Sequence, residues 1–221
     1  VTRVTPADRD NLVGGRSRIR RVEQVLHPQT TRRQLQRMEN MSVFFDVLTP
    51  VHFIRRSAMV YPDKTAVVYN DQRYSYRQFY ERVTRLGNAL RQAGIERGDK
   101  VAFVCPNTPA MLEAHYAVPM IGAVLVSVNI RLAAAEVSYI INHSDSKAVF
   151  VDNEFAGVVK PIVGELKQVR KFVNICDISD DRPLEGPEYE EFLAAGSTEE
   201  IVPAVDDEYQ NITINYTSGT T

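Results

Sequence analysis

Long apolar runs are missing from this sequence. No stretch approaches the ~18 residues that a membrane-spanning helix needs, and no charged start leads into an apolar segment of the kind that directs secretion. A soluble, cytoplasmic protein with no membrane span is the expectation. Cysteine is nearly absent as well: Cys105 and Cys176 lie far apart in the apolar stretches KVAFVCP and FVNIC, with no Cys or His beside either. That excludes a disulfide framework and a cysteine-rich zinc site, and reads as two buried, reduced thiols with no metal site. Lysine is absent from residues 1–40, which carry nine Arg and four acidic residues, whereas residues 41–221 hold 17 basic and 24 acidic ones. The net charge of −2 therefore hides a basic head on an acidic body. The head reads as an Arg-rich disordered extension, or as sequence upstream of a start at Met41. A nucleic-acid arm and an organelle transit segment are its functional alternatives, and the first predicts binding that falls steeply with salt.

What is present is an alternating grammar. Hydrophobic residues make up 44% of the chain, enough for a substantial core, and their spacing predicts elements in a regular order. TPVHFIRRSAMVYPDK places Val51, Ile54, Ala58 and Met59 on one helical face, with Pro62 at the exit. TAVVYNDQRYSY reads as a hairpin turning at Asn70-Asp71. The following segment predicts a helix on Phe79, Val83, Leu86 and Leu90, capped by Ser75 and closed by Gly94.

Short apolar strands then alternate with helices. KVAFVC leads to a helix opened by Thr108 and Pro109, AVLVSV to a helix over LAAAEVSYIINHSD, and KAVFVD to a helix interrupted at Pro161, before the strand KFVNIC. This is the pattern of βαβ units: an α/β fold with a mainly parallel sheet covered on both faces. Residues 177–208 are acidic and rich in Pro, Gly and Ser; they read as a surface excursion with one short helix at Glu188–Ala195. A last strand, YQNITINY, runs into TSGTT.

Those five residues are the candidate site. A strand end delivers them to the rim where open α/β sheets bind ligands. Gly219 lets consecutive amides converge into an anion-binding nest, and Thr217, Ser218, Thr220 and Thr221 surround it with small hydroxyl donors suited to phosphate oxygens. No lysine follows the glycine, so the segment is not the common G-x-x-x-x-G-K-[ST] phosphate loop.

YTSGTT resembles the start of the phosphate loop of the adenylate-forming enzymes, specifically the AMP-forming acyl-CoA synthetases, in which Gly-x-Pro-Lys usually follows. RYSYRQFYERVTRLGNALRQAGIERGDKVAFVCPNTPAMLEAHYAVPMIGAVLVSVNIRL and HSDSKAVFVD are similar to the same family in the same order. The resemblance covers about residues 49–152 and 211–221. The opening LTPVHFIRRSAMVYPDKTAVVY and the stretch MLEAHYAVPMIGAVL look like the branch that acts on medium-chain fatty, aromatic or other small acids.

The resemblance implies an acid–thiol ligase of fatty acid metabolism that uses ATP, Mg2+ and coenzyme A with a small-molecule carboxylic acid. Residues 41–221 would be the N-terminal portion of its AMP-binding domain, cut within the phosphate loop and inactive alone. It also implies that the other catalytic residues lie past Thr221. A carrier-protein adenylation enzyme and a degenerate nucleotide-binding relative are the alternatives. No nucleic-acid partner is expected, and oligomeric state is not legible.

Other residues carry weaker readings. His115 reads as a core histidine rather than a channel residue, His52 and His143 as helix-end residues, and His27 falls in the head. Arg131 reads as a donor to carbonyls at a strand end. Nothing in the sequence brings Glu113 and Asp99 together. Tyr74, Tyr76 and Phe79 read as packing residues rather than a base-stacking platform.

Overall fold

The computed structural model describes residues 48–217. The Arg-rich extension expected over residues 1–40 and the terminal residues Ser218, Gly219, Thr220 and Thr221 lie outside the described residues. Helix α1 (Pro50–Val60) starts at Thr49, whose hydroxyl accepts from the His52 amide, and buries Val51 and Ile54. Met59 is 69% exposed, against expectation. It lies about 140° around the helix from Ile54, at 100° per residue, and so falls off the buried stripe.

Strands β1 (Thr65–Tyr69) and β2 (Gln72–Ser75) form the expected antiparallel hairpin, with Asn70 in the left-handed region at φ 49°. Helix α2 (Tyr76–Gln92) is capped as its sequence predicts. The Ser75 hydroxyl accepts from the Gln78 amide while the Gln78 side chain accepts from the Ser75 amide. At its other end Gly94 takes φ 81°, the Ile95 amide donates to the Leu90 carbonyl, and the Gly94 amide to that of Arg91. This is the Schellman closure that a glycine permits. Phe79, Val83, Leu86 and Leu90 are all buried.

A five-stranded sheet follows: β3 (Lys100–Val104), β4 (Val124–Ser127), β5 (Ser146–Asp152), β6 (Lys171–Ile175) and β7 (Thr213–Asn215). Its order is β6-β5-β3-β4-β7 and every pair is parallel. Helix α3 (Pro109–Met120) links β3 to β4, and α4 (Ala134–His143) links β4 to β5.

Alternation along the strands feeds two cores. Val101 and Phe103 point to one face, with α1, α2, α3 and a late helix, α6 (Tyr189–Ala195). Ala102 and Val104 point to the other, with α4 and the segment after β5. At register partners in the centre, the rings of Phe103 and Phe150 stack at 4.4 Å, 4° from parallel. Both faces are covered, as a parallel sheet requires.

Three expectations change in detail. The helix expected after β5 is only a four-residue turn, α5 (Ala156–Val159), between 3-10 segments at Asn153–Phe155 and Lys160–Glu165. Pro161 has no amide to donate, and Gly157 and Gly164 weaken the helix further. Thr108 stands at the start of α3, but its side chain makes no capping bond. The surface excursion is also partly core, since Leu184, Phe192, Leu193, Ile201 and Val205 are buried. The buried Asn174 side chain ties it down, donating to the Leu184 and Gly186 carbonyls and accepting from the Leu184 amide. Of the two thiols, Cys105 is buried and Cys176 is only partly so.

Candidate functional site

Strands β3 and β4 are neighbours, yet the helices that follow them leave for opposite faces of the sheet. Loops that part in this way open a crevice at the carboxyl ends of the strands, the position at which open α/β sheets bind ligands. β7 lies beside β4 on this rim, with Ile214 opposite Val126 and Asn215 opposite Ser127. The chain leaves β7 through Tyr216 to Thr217, which is exposed.

Tyr216 and Thr217 line a cavity of 420 Å³ together with Asn129, Leu132, Glu136 and Tyr139. Its floor is shaped by local bonds. The Asn129 side chain accepts from the Arg131 amide at 3.0 Å, and the Glu136 carboxylate accepts from the Ala133 amide at 2.8 Å, setting the start of α4. The Arg131 guanidinium is exposed and makes no hydrogen bond among the described residues, so its expected role as a donor to strand-end carbonyls is not met.

At the far end of α4, His143 Nδ1 lies 2.8 Å from the Tyr216 hydroxyl. The Tyr139 ring stacks on the imidazole at 5.2 Å, and the Tyr216 ring meets it edge-on at 5.8 Å. Burial, with Tyr139 and Asp145 nearby, holds the Tyr216 phenol above its ordinary pKa, so it stays protonated at neutral pH. His143 ends its helix as expected, but its pairing with a residue on β7's exit is not visible in the sequence. The two stand 73 positions apart.

Of the predicted site, the structure places Thr217 on this rim; Ser218, Gly219, Thr220 and Thr221 lie outside the described residues. The described residues gather no group of three or more His, Cys, Asp or Glu side chains that could hold a metal ion.

A second crevice on the rim, 250 Å³, lies between the hairpin and α3, lined by Val67, Tyr69, Asn107, Met111, Leu112 and His115. His115 is exposed rather than a core residue, its Nδ1 lying 2.8 Å from the Met111 carbonyl oxygen. Leu112 and His115, three apart, share the outward side of α3, while Ala114, Ala117 and Val118 face the core.

One buried assembly joins residues that nothing in the sequence brings together. Glu113 is fully buried, and its carboxylate accepts from Arg82 Nε at 2.6 Å and from the Tyr189 hydroxyl at 2.5 Å. Arg82 also grips Glu190 and lies 4.9 Å over the Tyr74 ring. Burial pushes the Glu113 carboxyl up, against the opposing pull of Arg82 and Tyr189. Asp99 takes no part and instead accepts from the Glu96 amide. Tyr74, Tyr76 and Phe79 pack against the core, as expected.

The family profile of the AMP-binding enzymes matches residues 54–221. The chain belongs to the AMP-binding enzyme family. It is 39% identical over 191 residues to an acetate–CoA ligase of Humulus lupulus, an overlap of 80% of this chain and 34% of that protein. It is 38% identical over 182 residues to a 4-hydroxybutyrate–CoA ligase of Metallosphaera sedula, covering 80% of this chain and 33% of that one.

Among solved structures, a fatty acyl CoA synthetase of Mycobacterium tuberculosis aligns at a TM-score of 0.65 and 30% identity, over 76% of this chain and 32% of that one. An anthranilate CoA ligase in complex with anthranoyl-AMP aligns at 0.72 over 80% of this chain and 32% of its own, and at 22% identity shows the fold alone. The chain spans about a third of the length of the curated relatives it matches. Among the described residues no helix is long and apolar enough to cross a membrane.

Proposed function

We propose that the full-length product is an AMP-forming acid–thiol ligase. In this reading, residues 41–221 are the N-terminal portion of its AMP-binding domain, and Thr217, Ser218, Gly219, Thr220 and Thr221 bind the nucleotide phosphates. The observation that carries the reading is the exit of β7, which delivers Thr217 to a 420 Å³ cavity on the carboxyl rim of a parallel sheet. Family membership and the ligase names of the relatives support it.

In the first step a carboxylate oxygen attacks the α-phosphorus of ATP. The bond from that phosphorus to the bridging oxygen breaks, and pyrophosphate leaves with the electron pair. In the second step the coenzyme A thiol attacks the acyl carbon and loses its proton to solvent, and the acyl–oxygen bond to AMP breaks. Negative charge gathers on the departing pyrophosphate in the first step. Hydroxyls and amides already aimed at that charge lower the barrier without reorganising. Magnesium would arrive with the nucleotide and neutralise its phosphates.

The relatives' names point to small acids, among them acetate, 4-hydroxybutyrate and benzoate. The test is pyrophosphate release by the full-length product with ATP, magnesium and a panel of these acids, with and without coenzyme A. Release that depends on one of the acids, with thioester formed only when coenzyme A is added, is the expected result. ATP hydrolysis indifferent to any carboxylate would overturn the reading. Imaging the tagged product tests the cytoplasmic expectation against the peroxisomal placement carried in the name of an Arabidopsis thaliana relative.

A further inference from the structure

The crevice between the hairpin and α3 holds hydrogen-bond donors that the fold leaves unused. Its walls all come from residues 67–115, and it encloses 250 Å³. Helix α3 begins there with no side-chain cap. The first amides of a helix have no partner within it. Pro109 has no amide to offer, and that of Leu112 reaches the Thr108 carbonyl. The amides of Ala110 and Met111 make no hydrogen bond among the described residues.

Thr108 is a second and separate sign. It lines the crevice, is only 5% exposed, and its buried hydroxyl oxygen has no hydrogen-bond partner among the described residues. The neighbouring Cys105 thiol, kept protonated by burial, is a weak acceptor. A buried hydroxyl left unsatisfied costs stability, so its retention needs a reason other than packing.

The surroundings narrow what the donors could meet. No Asp, Glu, Lys or Arg lines the crevice among the described residues, so a bound charge would be met by dipoles. The start of a helix favours a negative one. On the opposite wall the Tyr69 hydroxyl is committed to Asp177. Val67, Pro109, Met111 and Leu112 supply apolar surface, and the volume lies below the ~300–1,000 Å³ usual for drug-sized ligands.

We infer that this crevice binds a small carboxylate, whose oxygens accept from the Ala110 and Met111 amides and the Thr108 hydroxyl while its apolar body rests on Val67 and Leu112. The inference does not rest on the reaction proposed above and uses none of the residues assigned there to the nucleotide phosphates.

The test follows the Met111 methyl resonance in the full-length product, labelled with 13C at methionine, as benzoate is added without ATP or coenzyme A. A saturable shift is expected with benzoate, with about tenfold weaker binding of neutral benzamide and none of benzylamine. Thr108→Val weakens benzoate binding about three- to tenfold, the scale of one hydrogen bond. It melts no lower than the wild type, because α3 has no side-chain cap to lose. Thr108→Ser keeps the hydroxyl and most of the affinity, and Leu112→Trp fills the crevice and abolishes the shift.

A Met111 resonance unmoved by benzoate would overturn the inference. A shift that persists in Leu112→Trp would do the same, by placing the acid elsewhere. Benzylamine binding as tightly as benzoate would assign the crevice to cations drawn by Asp177. Wild-type affinity in Thr108→Val, or a melting temperature that falls with its affinity, would return Thr108 to packing and overturn the assignment.

Discussion

Two polar assemblies hold distant parts of this chain together, and they differ in depth. Arg82, Glu113 and Tyr189 meet inside the face of the sheet that carries α2, α3 and α6, where Glu113 has no exposure and Arg82 only 16%. His143 and Tyr216 meet at the exposed carboxyl end of α4, and Tyr216 also lines the cavity that Thr217 reaches. In the interior an unmatched charge cannot be solvated, so each partner is held there by the other. At the exposed contact water competes for the bond, so its net contribution to stability is modest. The difference teaches where to look for each property: packing is secured away from solvent, and the phosphate site proposed above would draw on exposed residues that the packing holds in place.

The comparison breaks most visibly at Glu113. Replacing it with Ala leaves the buried Tyr189 hydroxyl without its acceptor and Arg82 with Glu190 as its one carboxylate partner, and should cost about 3 kcal/mol in urea unfolding. The double change Arg82→Met with Glu113→Leu removes both charges and should cost clearly less than Glu113→Ala alone. An equal or larger loss would mean that the pair itself stabilises the fold.

The same face offers a steric test at Gly196. A Cβ there would lie 2.0 Å from the Arg85 carbonyl oxygen and 2.9 Å from the Ala89 nitrogen, both backbone atoms of α2. Gly196→Ala should therefore destabilise by about 1–3 kcal/mol, as overpacking does. A melting temperature unchanged by that substitution would show that α2 and the loop after α6 are looser than described. Smaller again is the cap of α2: Ser75→Ala should lose about 1 kcal/mol, read from the same unfolding curves.

The smallest effect is a pH dependence at the hairpin. The Tyr69 hydroxyl donates to the Asp177 carboxylate at 2.5 Å, and that bond, with some burial, raises its pKa from 10.0 to about 12. A pKa raised on folding contributes stability that is complete below pH ~10 and is lost as the pH climbs through the folded value. The stability gap between wild type and Tyr69→Phe should therefore narrow between pH 10 and 12, with phenolate absorbance locating the titration. A gap constant over that window would show that the bond does not hold in solution.

Local rules made much of the fold legible. The stripe Phe79, Val83, Leu86 and Leu90 predicts α2, and Ser75 and Gly94 mark its ends, because caps and periodicity act over a few residues. The alternation of short strands and helices predicts a parallel sheet for the same reason. Strand order is another matter. β7 docks beside β4 rather than beside β6, the strand before it in the chain, and no local signal carries that choice.

The buried knot was hidden because Arg82, Glu113 and Tyr189 are ordinary surface residue types until tertiary packing encloses them. At the site, a glycine flanked by hydroxyls after a strand pointed to the rim, where the structure places Thr217. His143 gave no such sign. A histidine ending a helix has a sufficient local explanation, and its partner is far along the chain.

The central claim is that the segment leaving β7 recognises nucleotide phosphates. The most direct test is carboxylate-dependent ATP–pyrophosphate exchange in a variant of the full-length product carrying Thr217→Val, Ser218→Ala, Thr220→Val and Thr221→Val, measured beside the wild type at matched thermal stability. The account predicts a fall of about a hundredfold or more, the scale of losing aligned donors at a developing charge. Exchange at the wild-type rate would contradict it, and the phosphates would have to be bound elsewhere.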